Sequence, residues 1–131
     1  MNTILVVEDD KIISRLLKTL FELEGYQAVV VPRPDDVMPT ARQVKPALVL
    51  MDLHVSHGDT LSVLREMRAD EALKTVPVVM TSGMDRSEEC LAAGADAFLL
   101  KPFRPSEVLT TVADLVTDRI QTDEKAKAET K

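Results

Sequence analysis

Five short apolar runs, separated by amphipathic or polar stretches, restrict the fold of this 131-residue chain more than any other feature of its sequence. The runs cover residues 4–7, 29–31, 47–51, 77–80 and 97–100. Each run is continuous rather than alternating, and continuous apolar strands are typical of sheets covered on both faces. Strands that alternate with helices form parallel sheets. The sequence therefore predicts an α/β fold with a doubly wound, five-stranded parallel sheet.

The stretches between the runs carry helical patterns of unequal strength. The clearest helix is predicted over residues 11–24, where apolar side chains recur at helical spacing and Gly25 marks the end. Weaker patterns predict four more helices, at residues 35–44, 60–68 and 87–92 and from residue 105 or 106 onward. The fourth helix of the chain is predicted to be shortened, because Gly94 follows it closely.

The apolar periodicity is lost near the C-terminus. Residues 122–131 read Thr-Asp-Glu-Lys-Ala-Lys-Ala-Glu-Thr-Lys and contain no large apolar side chain. A segment of this composition buries too little apolar surface to offset the entropy lost on ordering. We therefore predict one globular domain over residues 1–121 and a charged, disordered tail over residues 122–131.

The charge balance limits the partners of this domain. Its 16 basic residues stand against 22 acidic residues, a net charge of −6, and an acidic surface repels the phosphates of nucleic acid. No uncharged apolar run approaches the roughly 18 residues of a membrane span, and the N-terminus lacks the basic residues of a signal peptide. The single cysteine, Cys90, suits a reducing compartment. We therefore expect a cytoplasmic protein that binds neither nucleic acid nor membrane.

Polar side chains follow four of the predicted strands at the points where the strands end. They are Glu8, Asp9 and Asp10 after the first strand, Asp52 after the third, Thr81 and Ser82 after the fourth, and Lys101 after the fifth. The carboxyl ends of parallel strands meet at one edge of the sheet, where ligands bind in this class of fold. We therefore expect these side chains to gather into one site.

The chemistry of these side chains indicates phosphoryl transfer with a divalent cation. Clustered carboxylates repel one another unless they are protonated or hold a cation, and Mg²⁺ binds through a few carboxylates together with phosphate. A carboxylate also serves as a nucleophile that forms an aspartyl phosphate. Lys101 would balance charge on the phosphoryl oxygens, and a hydroxyl from Ser82 or Thr81 would bind a remaining oxygen. Asp10 is better explained as a helix cap.

Four short motifs stand in the order and at the spacing of a known family. They are Val6-Val7-Glu8-Asp9, Leu50-Met51-Asp52, Met80-Thr81-Ser82-Gly83 and Lys101-Pro102-Phe103. On these residues the sequence resembles the receiver domain of two-component response regulators, from residue 3 to about residue 116. The resemblance implies a flavodoxin-like (βα)₅ fold with the strand order 2-1-3-4-5.

The resemblance also implies roles for the acidic residues. Asp52 matches the residue that accepts the phosphoryl group. Glu8 and Asp9 match the acidic pair that holds Mg²⁺, with Asp52 and the backbone carbonyl of His54 completing the metal site.

Further roles are implied for residues of the fourth and fifth strands and the loop that follows. Lys101 matches the lysine that contacts the phosphoryl group, and the peptide bond before Pro102 is usually cis in the family. Ser82 matches the switch hydroxyl, with Thr81 as the alternative if the alignment shifts by one residue. Phe98 matches the aromatic switch, which points outward in the inactive state and inward in the active state.

Three departures from the family pattern bear on the site and the output surface. Ser56 and Thr60 stand where the family commonly has a proline and a glycine after the phospho-acceptor, so the resemblance does not fix this loop. The short segment between Ser82 and Lys101 predicts a fourth helix of one or two turns, which leaves the mode of output open. Met84 lies two residues after the switch hydroxyl, where we expect it to shield the phosphoryl group and slow its hydrolysis.

These observations together predict a stand-alone, chemotaxis-receiver-like phospho-acceptor. A sensor histidine kinase or a histidine phosphotransfer protein would donate the phosphoryl group to Asp52 with Mg²⁺, and a downstream protein would bind the switched surface. The chain would be no conventional enzyme, because it would catalyse only its own phosphorylation and dephosphorylation. It would be a monomer or a phosphorylation-dependent dimer.

Alternative functions belong to other classes of protein. A degenerate receiver would bind partners without phosphorylation, as the altered loop after Asp52 allows. A phosphatase with an aspartyl nucleophile is disfavoured, because His54 stands where such enzymes often have a second aspartate. A flavodoxin-like electron carrier is disfavoured by the acidic first loop and the 3% aromatic content. His54 and His57 without a third ligand do not predict a transition-metal site, and Cys90 is expected to be a small buried apolar residue.

Overall fold

A computed structural model describes residues 2–56 and 58–129 and contains the predicted parallel sheet. Its five strands are β1 (Thr3–Val7), β2 (Gln27–Val31), β3 (Leu48–Asp52), β4 (Val78–Ser82) and β5 (Ala97–Leu100). All four neighbouring pairs are parallel, in the order β2-β1-β3-β4-β5. Both the predicted fold class and the predicted strand order are confirmed.

The helices lie in the intervals where the apolar periodicity predicts them. They are α1 (Lys11–Leu23), α2 (Val37–Val44), α3 (Leu61–Ala69), α4 (Ser87–Ala92) and α5 (Pro105–Glu129). α4 has only six residues, which confirms the shortened fourth helix. A 3₁₀ turn at Pro34–Asp36 replaces the predicted start of α2 at residue 35. The structure also contains a small antiparallel pairing of His54–Val55 with Gly58–Asp59, which the sequence analysis did not predict.

Alternate residues along the strands build a separate core on each face of the sheet. One core joins Met51 and Met80 to apolar residues of α2, α3 and α4, including the predicted buried thiol of Cys90. The other core joins Leu50 and Val79 to apolar residues of α1 and α5. Side chains of a strand point alternately to its two faces, so continuous apolar strands are what a doubly covered sheet requires. The two cores hold β1, β3 and β4 rigidly between them.

Asp10 lies at the start of α1 and Gly25 follows its end. The side chain of Asp10 accepts hydrogen bonds from the backbone N–H groups of Ile12 and Ile13 at 2.9 and 3.0 Å, which confirms its role as the N-cap. At the other end, Gly25 has a φ of +90°, a left-handed conformation that glycine adopts at little cost. The Asp10 cap therefore starts α1 only a few residues after the end of β1.

The C-terminal helix is longer than the sequence suggested. α5 continues without a break through residues 122–129, where we predicted a disordered tail. The alanine, glutamate and lysine residues of this segment have high helix propensity and extend an existing helix without needing a core contact. The domain boundary near residue 121 remains a prediction. Among the described residues, no helix is both long and apolar enough to cross a membrane.

Candidate functional site

The carboxyl edge of the sheet brings three carboxylates together. Glu8 and Asp9 follow β1, and Asp52 is the last residue of the neighbouring strand β3. One oxygen of each carboxylate lies within 4.8 Å of one oxygen of the other two. The sequence predicted this cluster because β1 and β3 are parallel neighbours whose carboxyl ends coincide. Its ligand atoms are hard oxygens, which suit Mg²⁺ rather than a transition metal.

Lys101 supplies positive charge to the cluster. Its Nζ donates to Oε1 of Glu8 at 2.8 Å and to Oδ2 of Asp52 at 3.1 Å. The Glu8 and Asp52 side chains are 4% and 12% exposed, so both ion pairs are largely shielded from water. Three carboxylates against one ammonium leave a formal charge of −2 at this edge. The excess of negative charge favours a bound cation.

Burial and charge shift the ionisation of the two most enclosed groups. Burial raises the pKa of Glu8, and the nearby Asp52 carboxylate adds to the rise, while Lys101 opposes it. Burial by itself would lower the pKa of Lys101, but its contacts with Glu8 and Asp52 outweigh this and raise the pKa. Lys101 is therefore fully charged at neutral pH, and ionised Glu8 is less stable here than in water.

Backbone groups orient the carboxylate of Glu8. Its Oε2 accepts the N–H groups of Asp9 at 3.0 Å and Asp10 at 3.2 Å, while its Oε1 accepts from Lys101. The N–H of Glu8 in turn donates to the carbonyl of Val31 at the end of β2, at 3.2 Å. Both carboxylate oxygens of Glu8 thus accept hydrogen bonds, and the N–H of Glu8 joins the loop after β1 to the end of β2.

Asp9 is the exposed member of the cluster, and it contacts the loop after β3. Its Oδ2 accepts the backbone N–H of Ser56 at 2.8 Å. Ser56 has a φ of +50°, and its hydroxyl donates to the carbonyl of Pro32 at 3.0 Å. The loop that the family resemblance left open is therefore hydrogen-bonded to a predicted metal ligand and to the end of β2.

Thr60 fixes the other end of that loop. Its side chain is buried, and its hydroxyl donates to the backbone carbonyl of Asp52 at 2.8 Å. Its N–H donates to the carbonyl of Leu53 at 2.9 Å. A proline at position 56 has no N–H for Asp9, and a glycine at position 60 has no hydroxyl for the Asp52 carbonyl, so neither of these two bonds can form with the family residues. Sequence reasoning noted Ser56 and Thr60 as departures but missed that both bind the site.

The predicted site residues of β4 and the loop after it are Thr81, Ser82 and Met84, which are not members of the acidic cluster. Ser82 ends β4 and is buried, and its Oγ accepts the N–H of Met84 at 3.1 Å. Thr81 is also buried and is in register with Asp52 across the β3–β4 pair. The choice of Ser82 over Thr81 as the switch hydroxyl stays a prediction. The Met84 side chain is 68% exposed, so its shielding role stays a prediction as well.

Two predicted features of β5 and the following loop are also visible. The ring of Phe98 is partly buried against the core that contains Met51 and Met80, and its switching role is untested. The peptide bond between Lys101 and Pro102 is cis, as the resemblance implied. The N–H of Lys101 donates to the carbonyl of Ser82 at 2.8 Å, which continues the β4–β5 pairing beyond the end of β5.

Arg86 joins the loop after β3 to the start of α4, and the sequence analysis did not single it out. Its guanidinium lies 3.3 Å from Oδ2 of Asp59 and 3.4 Å from Nε2 of His54, and it also pairs with Glu89. The His54 side chain is therefore engaged outside the acidic cluster, and only its carbonyl remains a predicted metal ligand. His57 lies outside the described residues.

A parallel sheet with an acidic cluster, a lysine and a cis proline at its carboxyl edge is the arrangement expected of a receiver domain. The model of the response regulator receiver domain family matches residues 4–113. The chain belongs to this family. Curated relatives include the DNA-binding response regulator MtrA of Mycobacterium tuberculosis, 32% identical over 112 residues that cover 83% of this chain and 48% of MtrA. The DNA-binding regulator RpaA of Synechocystis is 32% identical over 125 residues, covering 92% of this chain and 52% of RpaA.

Solved structures agree with this assignment. The receiver domain of the sensor histidine kinase PA1611 from Pseudomonas aeruginosa, with magnesium coordinated in its active site cleft, superposes with a TM-score of 0.80. It is 26% identical, and the match covers 88% of this chain and 98% of that domain. A response regulator from Chloroflexus aurantiacus, 24% identical, shares the fold with a TM-score of 0.83 over 88% of this chain and 98% of its own. The chain spans about half the length of the curated relatives that it matches.

Proposed function

We propose that Asp52 accepts a phosphoryl group from a phosphohistidine on a sensor histidine kinase or a histidine phosphotransfer protein. The observation that carries this proposal is the contact of Lys101 Nζ with Asp52 Oδ2 at 3.1 Å, inside a cluster that retains excess negative charge. An Asp52 oxygen would attack phosphorus while the phosphorus–nitrogen bond of the donor breaks. The electron pair of that bond leaves with the imidazole, which recovers its neutral form by taking a proton.

Mg²⁺ fits the donor set at this edge. Glu8, Asp9, Asp52 and the carbonyl of His54 would hold it, and the magnesium-bound receiver domain of PA1611 supports the same chemistry. When bound, the cation supplies positive charge to the phosphoryl oxygens. Lys101 already lies within hydrogen-bond distance of Asp52, so it would stabilise the same developing charge from the side of β5.

Phosphorylation would change the balance of charge around Ser82 and Lys101. The phosphoryl dianion would draw the Ser82 hydroxyl and the Lys101 ammonium toward Asp52 and bias the position of Phe98. β5 is an edge strand, and two apolar residues on this surface, Leu91 of α4 and Leu100 of β5, are 50% and 48% exposed. This surface would bind a downstream protein. The receiver itself would act as a cytoplasmic signalling module rather than as an enzyme. It would be a monomer, or a dimer that forms on phosphorylation.

Intact-mass measurement after incubation with acetyl phosphate and Mg²⁺ tests the role of Asp52. We expect the wild-type protein to gain the mass of one phosphoryl group and Asp52→Asn to gain none. Asp35→Asn is the matched control, because Asp35 is an exposed carboxylate in the 3₁₀ turn and should leave phosphorylation intact. Equal mass gain in Asp52→Asn would contradict the proposal.

Two further outcomes distinguish the alternative functions. A wild-type protein that gains no mass and does not bind beryllofluoride with Mg²⁺ would favour a phosphorylation-independent binding module. Steady release of phosphate from a small phosphate ester, lost in Asp52→Asn, would favour a phosphatase. We expect neither result.

A further inference from the structure

A hydrogen bond between Ser56 and Asp9 joins the loop after β3 to the loop after β1. The backbone N–H of Ser56 donates to Oδ2 of Asp9 at 2.8 Å, and 47 residues separate the two along the chain. Asp9 is the exposed member of the acidic cluster, and among the described contacts the Ser56 N–H is the one hydrogen-bond donor to its carboxylate. Rotation about the last side-chain bond of an aspartate is broad, so one fixed oxygen determines where the other points.

Ser56 is itself held in place from the opposite side. Its hydroxyl donates to the carbonyl of Pro32 at 3.0 Å, which anchors the loop to the residue after β2. Its φ of +50° is a left-handed conformation that a non-glycine residue adopts only at some cost. The anchored left-handed turn directs the Ser56 N–H at Asp9 rather than at the carbonyls of its own loop.

We propose that Ser56 is a positioning residue for Asp9, acting through its backbone N–H. The N–H occupies Oδ2 of the Asp9 carboxylate and so restricts its rotation, and one oxygen of this carboxylate lies within 4.8 Å of oxygens of Glu8 and Asp52. Hydrogen bonds of this kind to ligating carboxylates orient them and strengthen metal binding. The inference rests on the proposed Mg²⁺ site and adds that the loop after the phospho-acceptor controls the affinity of that site.

Two substitutions separate the N–H of Ser56 from its hydroxyl. Ser56→Gly removes the hydroxyl but keeps the N–H and tolerates the positive φ. Ser56→Pro removes the N–H. Isothermal titration of the metal-free proteins with MgCl₂ measures the dissociation constants, and far-UV circular dichroism checks the folds. Because Ser56→Gly loses the bond to Pro32 but keeps the N–H, we expect it to lose little Mg²⁺ affinity, whereas Ser56→Pro should bind Mg²⁺ about tenfold more weakly.

Proline also changes the loop, so a second measurement on the wild-type protein is needed. Hydrogen exchange of the Ser56 amide, followed by NMR with and without saturating MgCl₂, reports whether its bond to Asp9 persists when the cation binds. We expect the amide to stay protected in both states and to lose protection in Asp9→Ala. Loss of protection on Mg²⁺ binding would overturn the proposal, because the N–H would then compete with the cation.

The outcomes for Ser56 and for the proposed function are distinguishable. Equal Mg²⁺ affinity in the wild-type protein and a folded Ser56→Pro would contradict the positioning role and leave the metal site intact. A wild-type protein that binds no Mg²⁺ would contradict the proposed site and the positioning role together.

Discussion

The two edges of the sheet each carry a network of ion pairs, but the networks are built differently. At the amino edge, the guanidinium of Arg68 donates to the carbonyls of Val76 and Gly94 at 2.8 Å and to the carboxylate of Asp96 at 2.8 Å. Asp96 also accepts the N–H of Val78 at 2.8 Å. One cation meets one anion there, and their remaining donors and acceptors bind the backbone.

At the carboxyl edge, one ammonium faces three carboxylates, and none of the surrounding contacts removes the excess charge. Lys101 pairs with Glu8 and Asp52, while Asp9 has only a backbone N–H within hydrogen-bond distance among the described contacts. A balanced, saturated network stabilises a fold, whereas an unbalanced one costs stability and is retained for binding or chemistry. The difference in charge balance therefore distinguishes the structural network at the amino edge from the proposed functional site at the carboxyl edge.

The largest effect is expected at the amino edge. Arg68→Ala would leave the Asp96 carboxylate and the backbone carbonyls of Lys74, Val76 and Gly94 without their charged partner. Hydrogen bonds to charged groups contribute about 1.5–3 kcal/mol each and less where the pair is exposed; the side chain of Arg68 is 21% exposed and that of Asp96 is 41% exposed. We expect a loss of about 3 kcal/mol in the free energy of unfolding, measured by urea titration with an unchanged slope.

Arg65→Ala is the matched control for this prediction. Arg65 lies on the same helix but is exposed, and its replacement should leave the urea midpoint unchanged. If Arg68→Ala proved as stable as Arg65→Ala, the amino-edge network would have no structural role and the comparison between the edges would fail.

A smaller loss of stability is expected at the carboxyl edge, from the hydroxyl of Thr60. Thr60→Val keeps the shape of the buried side chain but removes the hydroxyl that donates to the carbonyl of Asp52 at 2.8 Å. A buried acceptor that loses its partner costs about 1–2 kcal/mol. Thermal unfolding should show this loss in Thr60→Val, whereas Thr60→Ser keeps the hydroxyl and should lose less. Equal melting temperatures for wild type and Thr60→Val would show that the Asp52 carbonyl does not depend on Thr60.

The contrast between the edges also shows what the sequence was able to predict. Apolar periodicity predicted the strands and helices because burial on two faces leaves a continuous pattern. It predicted the acidic cluster because parallel strands end at one edge. Backbone hydrogen bonds leave no such pattern, so the contacts of Ser56 and Thr60 were missed. The role of Arg68 was not predicted either, because its partners are backbone carbonyls and the sequence pattern does not identify them.

The same is true of the C-terminal segment, where composition and structure disagree. The absence of large apolar residues at positions 122–129 predicted a disordered tail, but helix propensity and an adjoining helix suffice to extend α5 to Glu129. Patterns that depend on a buried face, and local signals such as the Asp10 cap, were therefore read correctly, whereas hydrogen bonds between distant loops were not.

The smallest effect expected is a gain in stability at the carboxyl edge. Burial raises the pKa of Glu8 above its ordinary value of 4.5, so the native state binds this proton more tightly than the unfolded chain. The contribution of protonated Glu8 to stability is therefore lost as the pH rises from about 4.5 through the raised native pKa, and ionised Glu8 then costs stability. Glu8→Gln removes this cost and should raise the free energy of unfolding at pH 7 by about 1 kcal/mol.

The pH dependence of this gain distinguishes it from a general effect of removing charge. We expect the advantage of Glu8→Gln over wild type, measured by urea unfolding, to shrink as the pH falls below 4.5, because Glu8 is then protonated in both states. Glu66→Gln, which removes an exposed carboxylate from α3, is the control for removing one negative charge elsewhere. If Glu8→Gln were less stable than wild type at pH 7, the ion pair of Glu8 with Lys101 would be structural. The carboxyl edge would then resemble the Arg68–Asp96 network that it is contrasted with.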